Sequence, residues 1–143
     1  MIIYEAVFLN NEAVEYLFKL IRGKKPHANK PKDYHVTMAF KPETTASHLY
    51  GKLVAVHVIG YKDAEIATRQ GMTHNEGFKV EVSSTDPEMA KYIAENKGNF
   101  HITGSFEDKP VYTGFIDFSD AKSVNFTLFG TFGAFTSEGN IIK

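Results

Sequence analysis

YHVTMAF at residues 34–40 and FHITGSF at residues 100–106 share one pattern. Both windows run aromatic residue, His, β-branched aliphatic residue, Thr, any residue, small residue, Phe. Because side chains alternate across a β-strand, each window predicts a strand that buries one face. The other face presents a His and a Thr about 7 Å apart. The repeated window therefore predicts two matching strands in one short chain.

The polar face of the first window carries His35 and Thr37, and that of the second carries His101 and Thr103. A small residue follows each pair and leaves space beside it. Two histidines that only satisfy hydrogen bonds within the fold are the alternative hypothesis. A bare His-x-Thr match arises easily by chance. Agreement along the whole window, each time after a strand and a helix, favours a functional pairing.

A strand and a capped helix are predicted before the first window. Residues 2–9 are apolar and β-prone, and apolar residues recur with helical spacing over residues 14–21. Asn10 or Asn11 can cap the start of this helix, and Gly23 can end it.

The same order precedes the second window. Residues 78–82 alternate as a strand, and Asp86 followed by Pro87 predicts the start of a helix. Lys97 and Gly98 are predicted to close that helix just before the second window.

The sequence thus predicts an α+β protein with a single domain over residues 1–143. Strand, helix and His-x-Thr strand occur at 2–40 and again at 78–106, which predicts two pseudo-symmetric lobes. Each lobe would be an antiparallel sheet with a helix, and the lobes would form a central cleft. The other predicted elements are a central strand at 52–61, its hairpin partner at 62–70, a turn or flexible loop at 71–77, and Phe-rich strands at 111–118 and 124–135.

Composition excludes several classes of function. The chain has 143 residues and a net charge of −1, so it has no broad basic field for duplex DNA. It has no cysteine, which excludes disulfides, thiolate metal sites and Cys nucleophiles. The N-terminus lacks the features of a signal peptide, and no apolar run approaches the roughly 20 residues of a membrane span. We therefore expect a cytoplasmic protein without a membrane partner.

The paired His-x-Thr strands resemble those of the 2H phosphoesterase superfamily. That superfamily includes cyclic phosphodiesterases of the 2′-5′ RNA ligase type, the cyclic phosphodiesterase domain of fungal tRNA ligases, and phage enzymes that cut cyclic nucleotide messengers. The resemblance covers most of the chain, because the order of elements also matches. It implies a cleft between two antiparallel sheets, lined by the catalytic residues His35, Thr37, His101 and Thr103, and it implies no cofactor.

Two histidines that face one phosphate can act as an acid–base pair. A neutral imidazole takes a proton from water, and an imidazolium gives a proton to the leaving oxygen. The Thr hydroxyls can donate to the non-bridging oxygens as charge builds there. Which His is the base stays open. A metal site that also uses Asp33 or Glu107 is the rival hypothesis, but neither strand offers the second His or carboxylate that is usual in a zinc site.

Lysines near the first window are candidates for binding the phosphate. The loop at residues 23–32 contains Lys24, Lys25 and Lys30, holds no acidic residue, and leads directly into the first His-x-Thr strand. A solvated loop without a ligand is the alternative. Lys41, just beyond that strand, is the next candidate.

The remaining histidines and aromatic residues give weaker signals. His57 lies in a strand that is apolar on both faces, which indicates a satisfied histidine in or near the core. His27 lies in the basic loop, and His48 and His74 are predicted to lie on the surface. The Phe residues between 115 and 135 are predicted to be core.

The leading functional prediction is a metal-independent phosphodiesterase that hydrolyses a cyclic phosphate on a nucleotide or a single-stranded RNA end. A hydrolase of cyclic di- or oligonucleotide messengers is a variant of the same chemistry. A non-catalytic module that binds nucleotides or RNA ends is an alternative from another class, and a structural protein with incidental His-x-Thr pairs is a third. The base preference, the product isomer and the oligomeric state are not determined by the sequence.

Overall fold

The computed structural model describes residues 1–143 and consists of strands and two α-helices. In chain order the elements are β1 Ile2–Leu9, α1 Asn11–Arg22, β2 His35–Phe40, β3 Leu53–Thr68, β4 Gly71–Ser83, α2 Pro87–Glu95, β5 His101–Phe106, β6 Lys122–Thr136 and β7 Ile141–Ile142, with 3-10 helices at Ser47–Leu49 and Pro110–Phe115. Neither α-helix has the length and apolar character needed to cross a membrane.

One antiparallel sheet contains all the strands. Its hydrogen-bonded order is β2-β1-β6-β3-β4-β5, and β7 pairs with β6 outside this path. The end strands β2 and β5 each carry one copy of the repeated window, and Cα atoms of the two strands come within 8 Å of each other. The sheet is therefore strongly curved, since strands at opposite ends of a flat sheet of this width would be far apart. The prediction of an α+β fold with antiparallel strands is confirmed.

Helix α1 begins and ends where its sequence signals predict. The side chain of Asn10 accepts a hydrogen bond from the backbone N–H of Ala13 at 2.9 Å, which satisfies one of the free donors of the first turn. Gly23 ends the helix with a φ of 80°, which glycine adopts without steric cost. Val14 and Phe18 lie on the buried face of the helix.

Helix α2 is also capped as predicted. The Asp86 carboxylate accepts from the N–H of Met89 at 3.0 Å, and Pro87 occupies the first turn. The helix ends at Glu95, slightly earlier than the Lys97–Gly98 closure that the sequence predicts. Its buried residues Met89 and Ile93 face the same core as α1.

Both repeated windows bury one side of their strand, as alternation predicts. Tyr34 and Val36 of the first window and Ile102 of the second belong to one core of 20 buried residues. Phe18 of α1 stacks on Phe78 of β4 in this core, with ring centroids 3.9 Å apart. The helices thus cover one face of the sheet, and both motif histidines project from the other.

The region after the first window differs from the prediction. Residues 62–68 continue β3 instead of pairing back on it, and residues 71–77 belong to β4 rather than to a loop. A register shift between Val58 and Gly60 lets the long strand bend and keep its ladder. The hairpin turn comes later, at Arg69 and Gln70, and Gly71, whose φ is 112°, begins β4 directly after it. Pairing with neighbouring strands overrides the local turn preference of these residues.

The predicted strand at 111–118 is wrong. A 3-10 helix begins at Pro110, which has no N–H to donate to a sheet ladder. The side-chain amide of Asn75 fixes this helix by donating to the Lys109 carbonyl at 3.0 Å and to the Thr113 hydroxyl at 3.0 Å.

The prediction of a uniform Phe core between residues 115 and 135 is also wrong. Phe118 and Phe132 are buried, whereas Phe115 is 72% exposed and Phe129 is 61% exposed. The side chains of β6 alternate between the core and the uncovered face of the sheet, and Phe129 lies on the uncovered face.

Candidate active site

The two motif histidines are held by the same backbone contact. Nδ1 of His35 lies 3.0 Å from the carbonyl oxygen of Asp33, and Nδ1 of His101 lies 2.8 Å from the carbonyl oxygen of Asn99. A carbonyl oxygen can only accept, so Nδ1 carries the hydrogen in both rings. In each ring Nε2 is therefore the nitrogen that can take up or release a proton.

Aromatic side chains of β1 enclose the His35 ring. The Tyr4 ring stacks on the His35 ring, with ring centroids 4.9 Å apart. Phe8 is the direct partner of His35 in the β1–β2 ladder, and its ring is tilted against the imidazole with centroids 5.9 Å apart. Burial lowers the pKa of His35, donation to the Asp33 carbonyl opposes this shift, and a positive charge on His101 lowers the pKa further. Burial also raises the pKa of Tyr4 to about 12, with a smaller contribution from Asp33. The His35 ring is thus fixed in orientation and is biased towards its neutral form.

His101 lies beside the 3-10 helix. A Cβ atom placed on Gly114 would lie 3.6 Å from Cε1 of His101, so this part of the helix is in near contact with the ring. The hydroxyl of Thr103 lies 3.5 Å from the carbonyl oxygen of Pro110, at the limit of a hydrogen bond. Burial lowers the pKa of His101, and the hydrogen bond to the Asn99 carbonyl opposes this shift.

The two motif pairs lie on the same face of the sheet, on strands that approach each other. Cα atoms of β2 and β5 come within 8 Å of each other, and a positive charge on His101 contributes to lowering the pKa of His35. Thr37 is paired with Ala6 and Thr103 with Gly77, so the neighbouring strands place only small residues beside the hydroxyls. Each motif strand thus presents one imidazole and one hydroxyl, with a small residue of the neighbouring strand beside the hydroxyl.

Lys79 lies next to this group, although sequence analysis did not single it out. It is the direct partner of His101 in the β4–β5 ladder. Directly paired residues project from the same face of a sheet, with Cβ atoms about 4.5–5.5 Å apart. Lys79 is exposed and takes part in none of the ion pairs of the chain. Alternation over residues 78–82 could have indicated its outward direction, but not its neighbour.

The lysines predicted to bind phosphate lie elsewhere. Lys24, Lys25 and Lys30 border a depression of about 380 Å³ that Tyr34 also lines. Tyr34 is buried in the core, on the side of the strand opposite His35. In this depression Lys30 forms an ion pair with a glutamate of α1 at 2.6 Å.

Lys41 lies at the far end of β2. It lies six positions after His35, which corresponds to about 20 Å along a strand. Its ammonium group lies over the Phe40 ring, 5.4 Å from the centroid. Neither this lysine nor the loop lysines lie beside the motif histidines.

The other histidines have partners of their own. His57 lies 2.9 Å from the Thr127 hydroxyl, as expected for a satisfied histidine. His27 pairs with an aspartate of β3, and His48 lies 3.5 Å from a glutamate of α2 on the surface. His74 contacts Glu107 and one glutamate of β3. No group of three or more His, Asp or Glu side chains is arranged to hold a metal ion.

A buried carboxylate supports the strand beside each motif. Glu5 of β1 accepts from the Tyr50 hydroxyl at 2.8 Å, from the Tyr92 hydroxyl at 3.0 Å, and from one backbone N–H. Glu76 of β4 accepts two hydrogen bonds from Arg22, at 2.9 and 2.7 Å. Both carboxylates are fully buried. They tie the strands next to β2 and β5 to distant parts of the chain and so keep the motif strands in place.

Ser105 of β5 adds two donors to Glu76, its N–H at 2.8 Å and its hydroxyl at 2.7 Å. Burial acts to raise the pKa of Glu76, but the bonds from Arg22, Ser105 and Tyr61 outweigh it and hold this pKa below its usual value. The small residue at the sixth position of the second window is therefore a structural partner of Glu76, and not only a means of leaving space.

Comparison with known proteins finds no matching family, curated protein or solved structure. What the chain does is therefore inferred from His35, His101 and their surroundings.

Proposed function

We propose that this protein is a metal-independent phosphodiesterase of the 2H type, which hydrolyses a cyclic phosphate on a nucleotide or RNA end. The observation that carries the proposal is that both histidines make the same type of hydrogen bond to the backbone. Nδ1 of each ring donates to the carbonyl two residues before it, at 3.0 Å for His35 and 2.8 Å for His101. Both Nε2 atoms remain available for proton transfer, as acid–base catalysis requires.

The reaction needs one neutral and one protonated imidazole. The neutral Nε2 takes a proton from water while the water oxygen bonds to phosphorus. The bond from phosphorus to one ribose oxygen breaks, and Nε2–H of the other ring protonates that oxygen. The product is a phosphomonoester, and the proton taken from water replaces the proton given to the leaving group. Either His35 or His101 can fill either role.

Three groups can stabilise the negative charge that builds on the phosphate. The hydroxyls of Thr37 and Thr103 can donate to its non-bridging oxygens. The ammonium group of Lys79 supplies a positive charge beside His101, since the two residues are directly paired. We propose Lys79, in place of Lys41, as the cation that binds the reacting phosphate.

The proposal includes two pseudo-symmetric lobes around a central cleft. The chain order β1-α1-β2 recurs as β4-α2-β5, and the two units form opposite ends of the sheet path. Each unit has a His bonded to the carbonyl two residues before it and a buried glutamate in the adjacent strand, Glu5 in one and Glu76 in the other. These matched features support an internal duplication.

The substrate should be small or single-stranded, because the net charge of −1 offers no broad attraction to a duplex. A cyclic di- or oligonucleotide messenger would be cut by the same two imidazoles. Such a nucleotide or RNA end would be met in the cytoplasm. A non-catalytic binding module is a weaker hypothesis, because binding alone does not require two imidazoles with free Nε2 atoms.

One experiment tests the proposal. The protein is incubated in EDTA with 2′,3′-cyclic mononucleotides, with RNA ending in a cyclic phosphate and with cyclic dinucleotides, and the products are resolved by chromatography. We expect a phosphomonoester from at least one substrate, with no need for added metal. If no substrate is cut with or without added divalent metals, the proposed function is wrong.

A further inference from the structure

A second cavity lies between the 3-10 helix and the tip of the β3–β4 hairpin. It has a volume of about 610 Å³, within the range of small-molecule sites. Arg69 and Lys109 line it together with Tyr112 and Phe115. Phe115 is 72% exposed, and its ring centroid lies 6.3 Å from that of Tyr112. The cavity therefore combines accessible aromatic faces with two cations.

The aromatic lining of the cavity begins beside the candidate active site. Gly114 is the residue of the 3-10 helix that approaches the His101 ring, and Phe115 is the next residue in the chain. Consecutive Cα atoms are about 3.8 Å apart, so the aromatic lining begins within one residue of the His101 contact. A ligand that reaches His101 can therefore extend into this cavity.

The charges of the cavity favour an anion. Neither Arg69 nor Lys109 takes part in an ion pair of the chain. No carboxylate lines the cavity. The depression around Lys30 differs, because Glu15 lines it and neutralises that lysine at 2.6 Å.

The 3-10 helix presents these side chains from a fixed support. The Asn75 side chain is fully buried and holds the helix through the Lys109 carbonyl and the Thr113 hydroxyl. A preformed support for an exposed Phe reduces the ordering cost of binding. An aromatic face beside unpaired cations is the combination that binds single-stranded nucleic acid, by stacking of the base and attraction of the phosphate.

We infer that this cavity is a subsite for a second nucleotide, joined by a phosphodiester bond to the nucleotide whose cyclic phosphate lies at the histidines. Its base stacks on Phe115, and the linking phosphate lies near Arg69 and Lys109. The inference rests on the proposed function and deepens it. The preferred substrate is then a dinucleotide or a longer RNA end, and a cyclic dinucleotide presents the same second nucleotide.

The test compares substrates of two lengths in Phe115→Ala. Loss of stacking should raise KM about 5- to 150-fold for the dinucleotide ApA ending in a 2′,3′-cyclic phosphate. The effect on 2′,3′-cyclic AMP should be much smaller, because a mononucleotide reaches only the histidines. Tyr16→Ala, which removes a 64% exposed aromatic side chain from α1, is the matched control and should change neither KM. A cyclic dinucleotide in a parallel series shows whether the second nucleotide comes from a linear or a cyclic source.

A binding measurement separates this inference from the proposed reaction. Plain ApA, which has no cyclic phosphate, is titrated into wild type, Phe115→Ala and the double variant Arg69→Ala with Lys109→Ala. We expect both variants to bind ApA at least about fivefold more weakly. If wild type cuts no substrate but this difference in binding holds, the subsite stands and the reaction is wrong. If wild type is active and neither variant alters KM or the affinity for ApA, the subsite is wrong and the reaction stands.

Discussion

The ring Nδ1 of His35 donates to the carbonyl oxygen of Asp33 across 3.0 Å, so the residue two positions earlier in the chain fixes the imidazole. A carbonyl oxygen can only accept a hydrogen bond, so this bond places the hydrogen on Nδ1 and fixes the tautomer of the neutral ring. His101 makes the matching bond to Asn99 at 2.8 Å. Both rings are thus oriented by the backbone, independently of a substrate.

Removal of either imidazole should slow turnover strongly. We expect His35→Ala and His101→Ala each to lower kcat about 10²- to 10⁴-fold, the usual contribution of one positioned acid or base. His57→Ala is the control, since His57 is bonded to Thr127 and has no proposed role. Thermal melts of all three variants check that the fold survives. A variant that loses His35 or His101 and keeps a near-normal kcat would show that this residue is neither the acid nor the base.

The threonine hydroxyls should contribute less than the histidines. Thr37→Val and Thr103→Val keep the β-branched shape and remove one donor each. We expect kcat/KM to fall in each variant. The fall should correspond to a loss of about 1–3 kcal/mol of transition-state stabilisation, as for a hydrogen bond to a charged group. If the Val variant of either threonine keeps the wild-type kcat/KM, that threonine does not donate to the phosphate in the transition state.

The pH profile should be bell-shaped with an acid-shifted maximum. The base works only when neutral and the acid only when protonated, and the kcat/KM profile reports the free enzyme. Burial lowers the pKa of both His35 and His101 from 6.5, so we expect kcat/KM to peak below pH 6.5. The bound cyclic phosphate is a monoanion and raises the pKa of both rings, so the kcat profile should lie at higher pH.

Both profiles are measured in EDTA from about pH 4 to 9. The apparent pKa values would belong to the pair of histidines and not to either residue alone. A kcat/KM that rises steadily above neutral pH, or activity that returns only with added zinc or manganese, would contradict the two-histidine mechanism.

Lys79 should matter for every substrate, and the loop lysines only for long ones. We expect Lys79→Ala to raise KM and lower its salt dependence even for a cyclic mononucleotide, since Lys79 is paired with His101. The combined change of Lys24, Lys25 and Lys30 to Ala should raise KM only for longer RNA, because these residues border a separate depression.

Lys91→Ala serves as the matched control for the lysine variants, because Lys91 is exposed on α2. The assignment of Lys79 fails if its variant behaves like Lys91→Ala. The loop prediction fails if the triple variant has the same KM and salt slope as wild type for RNA of every length.

Gly104 should tolerate no side chain. A Cβ atom there would lie 2.7 Å from both Glu76 Cγ and Phe18 Cζ, and both residues are buried. We expect Gly104→Ala to lower the free energy of unfolding by about 1–3 kcal/mol, the range for overpacked cores. Gly114→Ala is the control for stability, because its Cβ would meet only His101 Cε1 at an ordinary 3.6 Å. Equal urea midpoints for the two variants would show that the second window needs no glycine.

Local signals were sufficient to predict much of the fold. Asn10 and Asp86 cap the helices because a short polar side chain reaches the free N–H groups of the first turn. Alternation in the two windows correctly separated Tyr34 and Val36 from the motif histidines, because successive side chains of a strand point to opposite faces. The strand-helix-strand order of both units followed from these signals alone.

Contacts between distant residues decided the rest. Gly60 and Gly71 have similar local preferences for a turn, yet β3 continues past the first and the hairpin turn lies just before the second, because strand pairing sets the register. The neighbour of His101 could not be read from the chain for the same reason. Only the β4–β5 ladder places Lys79 beside it, while Lys41 lies at the far end of β2.

The sequence by itself determined the two motif pairs, the faces they occupy and the helices that precede them, because these depend on the alternation of a strand and the capping of a helix. Only the tertiary structure decided which strands meet. The curvature of the sheet brings the end strands β2 and β5 within 8 Å, and burial against Tyr4 and Phe8 sets the environment of His35. Such contacts join residues far apart in the chain, and local propensity carries no information about them.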